Sequence, residues 1–233
     1  MRFFVGTSGY SYPEWKGSFY PEKFAREKML GYYAQRFATV EVNYTFRRMP
    51  SESLLESWAS QVPEGFRFAL KAPQTITHVK RLKSAEEETA HLLRTAAVLK
   101  GRLGPVLFQF HPSFQKDLPR LEAFLGHLRD KAAAAFEFRH KSWFDEEVFA
   151  CLRASGCVLC TADSDESPFT ELVHTARWGY VRLRGEGYSD KQLRKWIKDI
   201  KSQGWDEAYV FFRHEDTGTG PKLAARFLEF AGA

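Results

Sequence analysis

Ala135-Phe136-Glu137-Phe138-Arg139 and Tyr180-Val181-Arg182-Leu183-Arg184 are short apolar runs that break off in charged side chains, and their reading decides the fold. The same plan, with charged or amide side chains at the end, recurs outward along the chain. It appears in Thr39-Val40-Glu41-Val42-Asn43, Phe68-Ala69-Leu70-Lys71, Val106-Leu107-Phe108-Gln109, Val158-Leu159-Cys160-Thr161-Ala162-Asp163 and Tyr209-Val210-Phe211-Phe212-Arg213-His214. A core strand gains nothing by ending in a carboxylate or a guanidinium. If the strands are parallel, these groups gather at one end of a sheet, where α/β folds place their sites.

Eight strands are predicted, near 3–6, 38–43, 66–71, 105–110, 134–139, 157–162, 178–184 and 208–213. Helices are predicted over 22–37, 51–61, 84–99, 118–129, 145–154, 189–203 and 221–231, with Ser51 and Ser84 at two of the starts. Glu86, Glu87 and Glu88 suit a helix N-terminus by charge. The link from strand six to strand seven reads as loop over 164–169. Strand alternating with helix in this way gives an α/β chain, a (β/α)₈ TIM-type barrel forming a single domain over 1–233. A doubly wound open sheet is the runner-up, and it usually carries a tighter glycine fingerprint after its first strand.

The bulk composition fits an ordinary globular protein: 233 residues, 44% hydrophobic and 27% charged, enough to bury a core without disulfides or a structural metal. Phe, at 21 copies, is the unusual member, and packing between barrel and helices accounts for it. A net charge of +5 spread along the chain is weak support for an anionic partner. Three cysteines, Cys151, Cys157 and Cys160, with no secretory signal, point to a reducing, cytoplasmic setting. No apolar run approaches the ~18 residues of a membrane helix, so no membrane partner is expected. In Cys157-x-x-Cys160 an offset of three on one strand sends the sulfurs to opposite faces, which makes them buried structural thiols.

Side-chain alternation groups Glu41 with Asn43, Glu137 with Arg139, Gln109 with Leu107 and His111, Thr161 with Asp163, and Arg182 with Arg184. Aimed inward, they form a polar anion-binding pocket. Glu41, Glu137 or Asp163 would serve as acid or base, while Asn43, Lys71, Gln109, Arg139, Arg182, Arg184 and His214 would bind substrate. The competing reading is a mutually satisfied ion-pair network that closes the barrel mouth, since buried charges need such pairing merely to be tolerated. Glu137→Gln separates the two: as a site residue it leaves folding intact and weakens binding. Lys71 also has the chemistry of a Schiff-base lysine, provided that burial or a neighbouring cation depresses its pKa.

A divalent metal is an alternative, with Glu41, Glu137, Asp163, His111, His140 and His214 as the right ligand types, though no close motif joins them. The first loop, from Ser8 to Pro21, holds Tyr10, Tyr12, Trp15, Phe19 and Tyr20, either as a wall for a sugar or nucleobase or as an anchoring plug. Its Gly6-Thr7-Ser8-Gly9 start offers backbone N–H groups. Gly185 and Gly187 after strand seven, and Gly218 and Gly220 before the last helix, occupy the positions where barrels often bind phosphate. Pro221 suits the first turn of that helix.

Several blocks in order resemble the YecE-like family, domain of unknown function 72. They are Gly6-Thr7-Ser8-Gly9-Tyr10-Ser11-Tyr12 with Trp15-Lys16-Gly17 and Phe19-Tyr20-Pro21; Thr39 through Phe46 with Met49-Pro50-Ser51; and Gly65 through Pro73 with Thr77-His78. Gly104 through Phe110 and Phe136 through Trp143 complete the match. The resemblance implies a TIM-type barrel and supplies no activity. Two departures stand out: His111 precedes Pro112 where the family commonly has two prolines, and Arg213-His214-Glu215-Asp216 replaces consecutive asparagines after strand eight.

Two functions follow from the residues. The first is an enzyme, a hydrolase or proton-transfer catalyst, acting on a small phosphorylated or otherwise anionic metabolite at the C-terminal barrel mouth. The second is a nucleic-acid-binding or repair protein using the same basic pocket on phosphodiesters, with or without a metal. A protein-interaction scaffold is a third, and a large exposed apolar patch away from the mouth would mark it.

Overall fold

The fold was read from a computed structural model, which describes residues 1–128, 131–164, 169–185, 187–213 and 218–232. Eight parallel strands form one sheet: β1 (Arg2–Thr7), β2 (Thr39–Val42), β3 (Arg67–Lys71), β4 (Leu103–Gln109), β5 (Ala134–Glu137), β6 (Val158–Asp163), β7 (Trp178–Leu183) and β8 (Glu207–Phe212). The hydrogen-bonded order runs β1-β8-β7-β6-β5-β4-β3-β2. The remaining seam, between β1 and β2, is closed by a parallel bridge from Ser8 to Glu41, with Gly9 N donating to Glu41 O at 2.8 Å. The sheet is therefore a (β/α)₈ TIM-type barrel, as the strand pattern predicted.

The surrounding helices are α1 (Met29–Ala34), α2 (Tyr44–Arg47), α3 (Glu52–Ser60), α4 (Glu86–Ala96), α5 (Leu118–Leu128), α6 (Glu146–Ala154), α7 (Asp190–Ser202) and α8 (Thr219–Ala231). Local chemistry sets their starts. Ser51 and Asp145 accept from the amides of Leu54 and Val148, and Ser189 with Gln192 forms a reciprocal capping box. Two expectations need correction. The helix predicted over 22–37 shrinks to a 3₁₀ turn at Arg26–Lys28 and the six residues of α1, because Tyr20, Phe24 and Tyr32 pack the segment as an aromatic cluster. Ser84 does not cap α4; it sits at φ 48°, and Ala85 is the N-cap residue.

Alternation splits the core in two. Outward-facing side chains of the strands pack under the helices in two large clusters, one around Phe66, Phe68 and Phe212, the other around Phe108, Phe110 and Phe136. Inward-facing ones fill the barrel with Phe4, Ala69, Leu107, Ala135, Val158, Cys160, Tyr180, Tyr209 and Phe211. Phe4 stacks on Tyr209 at 4.7 Å, so the lower barrel is a packed plug. Cys157 belongs to the outer cluster and Cys160 to the barrel interior, on opposite faces as their offset requires. Among the described residues no helix is long and apolar enough to cross a membrane.

Candidate functional site

Above the aromatic plug the barrel interior turns from apolar to charged, and the change is carried by the same side-chain parity. On β7 the inward series Trp178, Tyr180, Arg182 rises into Arg184, while β2 contributes Glu41, β4 Gln109 and β5 Glu137 at the same level. Arg182, 2% exposed, lies between two carboxylates: Nη2 donates to Glu41 Oε1 at 2.8 Å and Nη1 to Glu137 Oε2 at 2.5 Å. Glu41 also accepts from Ser8 Oγ and from Tyr180 OH, both at 2.8 Å. Glu137 accepts from Gln109 Nε2 at 2.9 Å and Arg139 Nε at 3.0 Å. Ser8 Oγ in turn accepts from Arg184 Nη1 at 3.1 Å.

The electrostatics follow from this packing. Burial raises the pKa of both carboxyls, but the cations more than offset it. Arg182 and Arg139, with Gln109, bring Glu137 down to about 2, and Arg182, Arg184 and Ser8 hold Glu41 below the usual carboxylate range. Both are ionised at neutral pH with every oxygen engaged, so they hold Arg182 in place and carry no proton of their own. Lys71, at the end of β3, goes the other way. Burial and the Arg182 charge depress its pKa to about 8, against the opposing pull of Glu41 and Glu137. Its Nζ lies 4.1 Å from the centre of the Phe46 ring. His78, on a π-helical turn (Thr75–Val79), is lowered to about 4 by burial and by His111 and Lys71, which leaves it neutral.

The structure thus brings together Glu41, Glu137, Gln109, Lys71, Arg139, Arg182 and Arg184. Asn43 borders the group at the end of β2, with its Oδ1 buried and unpartnered among the described residues. Asp163 does not join. The register of β6 on β7 pairs Ala162 with Arg182, so Cys160 and Ala162 face the barrel, while Thr161 and Asp163 face away. Asp163 Oδ2 accepts from Tyr188 OH at 2.8 Å and Thr161 Oγ1 donates to Glu171 O. His214 lies outside the described residues.

The expected backbone donors are largely committed elsewhere. Thr7 N donates to Tyr33 OH, Ser8 N to Phe212 O and Gly9 N to Glu41 O, all in closing the barrel. Gly185 N donates to Tyr188 OH at 2.8 Å. Gly187 is exposed, with open space around it. Gly218, at φ 72°, and Gly220, whose added Cβ would fall 2.4 Å from Arg213 O, let the start of α8 pack against the ends of β1 and β8.

Of the residues expected to bind a metal, His214 lies outside the described residues. Among the described residues no three His, Cys, Asp or Glu side chains converge. His111 and His140 turn Nδ1 to the hydroxyls of Ser113 and Ser142 and accept from those residues' amides. The first loop divides its aromatics. Trp15 and Tyr20 are buried with Phe19 as an anchor, whereas Tyr10 and Tyr12 line a cavity of about 590 Å³ with Leu30, Asn43, Tyr44 and Trp58. Ser8, Tyr180, Phe46 and His78 were missed as site residues by sequence reasoning. Tyr180 was legible from its i−2 spacing to Arg182, but nothing in the sequence shows Ser8 bridging Glu41 and Arg184.

Comparison with known proteins agrees with this fold. The chain is 26% identical over 226 residues to the UPF0759 protein YunF of Bacillus subtilis, covering 91% of this chain and 78% of that one. It is 28% identical over 142 residues to the UPF0759 protein YecE of Escherichia coli, covering 60% of this chain and 50% of that one. The crystal structure of a DUF72 family protein from Thermotoga maritima superposes with a TM-score of 0.85 at 29% identity, covering 100% of both chains. The family model for the protein of unknown function DUF72 matches residues 4–233, and the chain belongs to that family.

Proposed function

We propose that this protein is an enzyme that takes a small anionic metabolite, such as a phosphate ester, at the C-terminal mouth of its barrel. One observation carries the reading: Lys71, Arg139, Arg182 and Arg184 gather around Glu41 and Glu137 at the mouth, and among the described residues Arg184 meets a hydroxyl, Ser8 Oγ, and no carboxylate. A closed structural network would be neutral, because uncompensated buried charge is costly. An anion would complete this one, with Arg184 as the outer donor and Arg182 fixed beneath it. Glu41 and Glu137 act as the ionised frame that sets the guanidinium positions. The glycines at the start of α8 flank the same mouth, at a barrel's usual phosphate position.

Binding of inorganic phosphate and a panel of sugar phosphates, followed by calorimetry at low and high salt, tests this. Arg139→Met and Arg184→Met should each weaken binding about tenfold to a hundredfold, the worth of a hydrogen bond to a charged group. Absence of saturable anion binding, or identical binding by the variants, would overturn the reading. A labelled single-stranded oligonucleotide belongs in the same experiment. Tight binding that falls steeply with salt and vanishes in both variants would transfer the site to phosphodiesters. The recessed position of Arg182 favours the small ligand.

A further inference from the structure

We infer that Lys71 is a covalent group: its amine forms a Schiff base with the carbonyl carbon of an aldehyde or ketone that also bears an anionic group. The inference rests on the anion-binding reading for its substrate class and on separate geometry for its chemistry. Lys71 ends β3 at the barrel mouth, half-buried, and among the described residues its Nζ makes neither an ion pair nor a hydrogen bond. It lies instead over the face of Phe46, which itself meets the His78 ring edge-on at 4.9 Å. A carboxylate partner would hold the ammonium form. Here the two nearby carboxylates are already engaged by Arg182, Arg139, Tyr180, Ser8 and Gln109.

The groups facing Lys71 are Arg182 from β7, Glu41 from β2, Glu137 and Arg139 from β5 and beyond its end, and His78 from the π-turn. A desolvated amine next to fixed cations is the arrangement that makes a lysine nucleophilic at neutral pH. With the pKa at about 8, the neutral fraction at pH 7.5 is about 200-fold that of an ordinary lysine. The step balances without any oxidant or reductant. The Nζ lone pair forms the N–C bond, the carbonyl π pair moves to oxygen, and the carbinolamine loses water to give the iminium. The protonated nitrogen is then an electron sink for loss of a proton or a carbon fragment from the adjacent carbon.

Pyridoxal 5′-phosphate and its phosphate-free counterpart pyridoxal are the probes, each reduced with borohydride and mapped by peptide mass spectrometry. The expected result is labelling of Lys71 by the phosphorylated probe, on the order of tenfold or more faster than at other lysines. The rate should rise with pH through about 8 and be suppressed by inorganic phosphate. Lys71→Arg, checked by circular dichroism to be folded, should lose this label. Equal labelling of all lysines while phosphate still binds would overturn the covalent role and leave the anion site standing. Selective Lys71 labelling by both probes, untouched by phosphate, would keep the nucleophile and overturn the anion reading.

Discussion

Glu137→Gln is the substitution whose outcome the structure changes most. Read as a site residue, Glu137 is expected to be replaceable without harm to the fold, whereas the side chain proves to be 3% exposed and held by Arg182, Arg139 and Gln109. Glutamine preserves the shape but gives Arg182 Nη1 a neutral oxygen, and it points an NH₂ at other donors. Removing one partner of a buried ion pair costs about 3–5 kcal/mol. For a chain of this length that lowers Tm by roughly 6–20 °C.

The sign with pH follows from linkage. A carboxyl whose folded pKa lies below its unfolded value of about 4.3 contributes stability that is present above that value and lost as pH falls toward 2. Urea unfolding followed by circular dichroism and tryptophan fluorescence should therefore show a wide gap between wild type and variant at pH 7. The gap should narrow steadily between about pH 5 and pH 2. A variant within about 0.5 kcal/mol of wild type at pH 7, or a gap that does not change over that range, would refute the buried-network argument.

Three further outcomes are expected. Gly6→Ala places a Cβ 2.2 Å from Thr39 O across the β1–β2 seam, so it should destabilise by more than the ~1–3 kcal/mol of ordinary overpacking, read by thermal unfolding. Gly179→Ala drives a Cβ to 2.0 Å from the Trp205 ring, and its tryptophan fluorescence should shift along with a loss of stability. Ser189→Ala removes the α7 capping box and should cost about 1 kcal/mol in chemical denaturation, with anion binding at the mouth unchanged.

The sequence by itself determined the barrel and the level of its candidate site. Eight apolar runs of strand length, seven of them ending in charged or amide side chains, admit few arrangements, and period-two alternation then placed Glu41, Glu137, Gln109 and Arg182 on inner faces. Alternation held at β6 without telling which face is inward, because both faces of Val158-Leu159-Cys160-Thr161-Ala162 are apolar or small. There only pairing of Ala162 with Arg182 decides that Asp163 turns outward to Tyr188. Likewise, no local pattern tells a proton-carrying carboxylate from one that frames an arginine. That depends on which side chains meet across the barrel, such as Tyr180 reaching Glu41 from 139 residues away. The tertiary structure alone decided that the two glutamates are engaged by Arg182 and that the Lys71 amine lies over the Phe46 ring. Strand polarity is written in short windows of sequence, whereas burial and charge balance belong to the closed barrel.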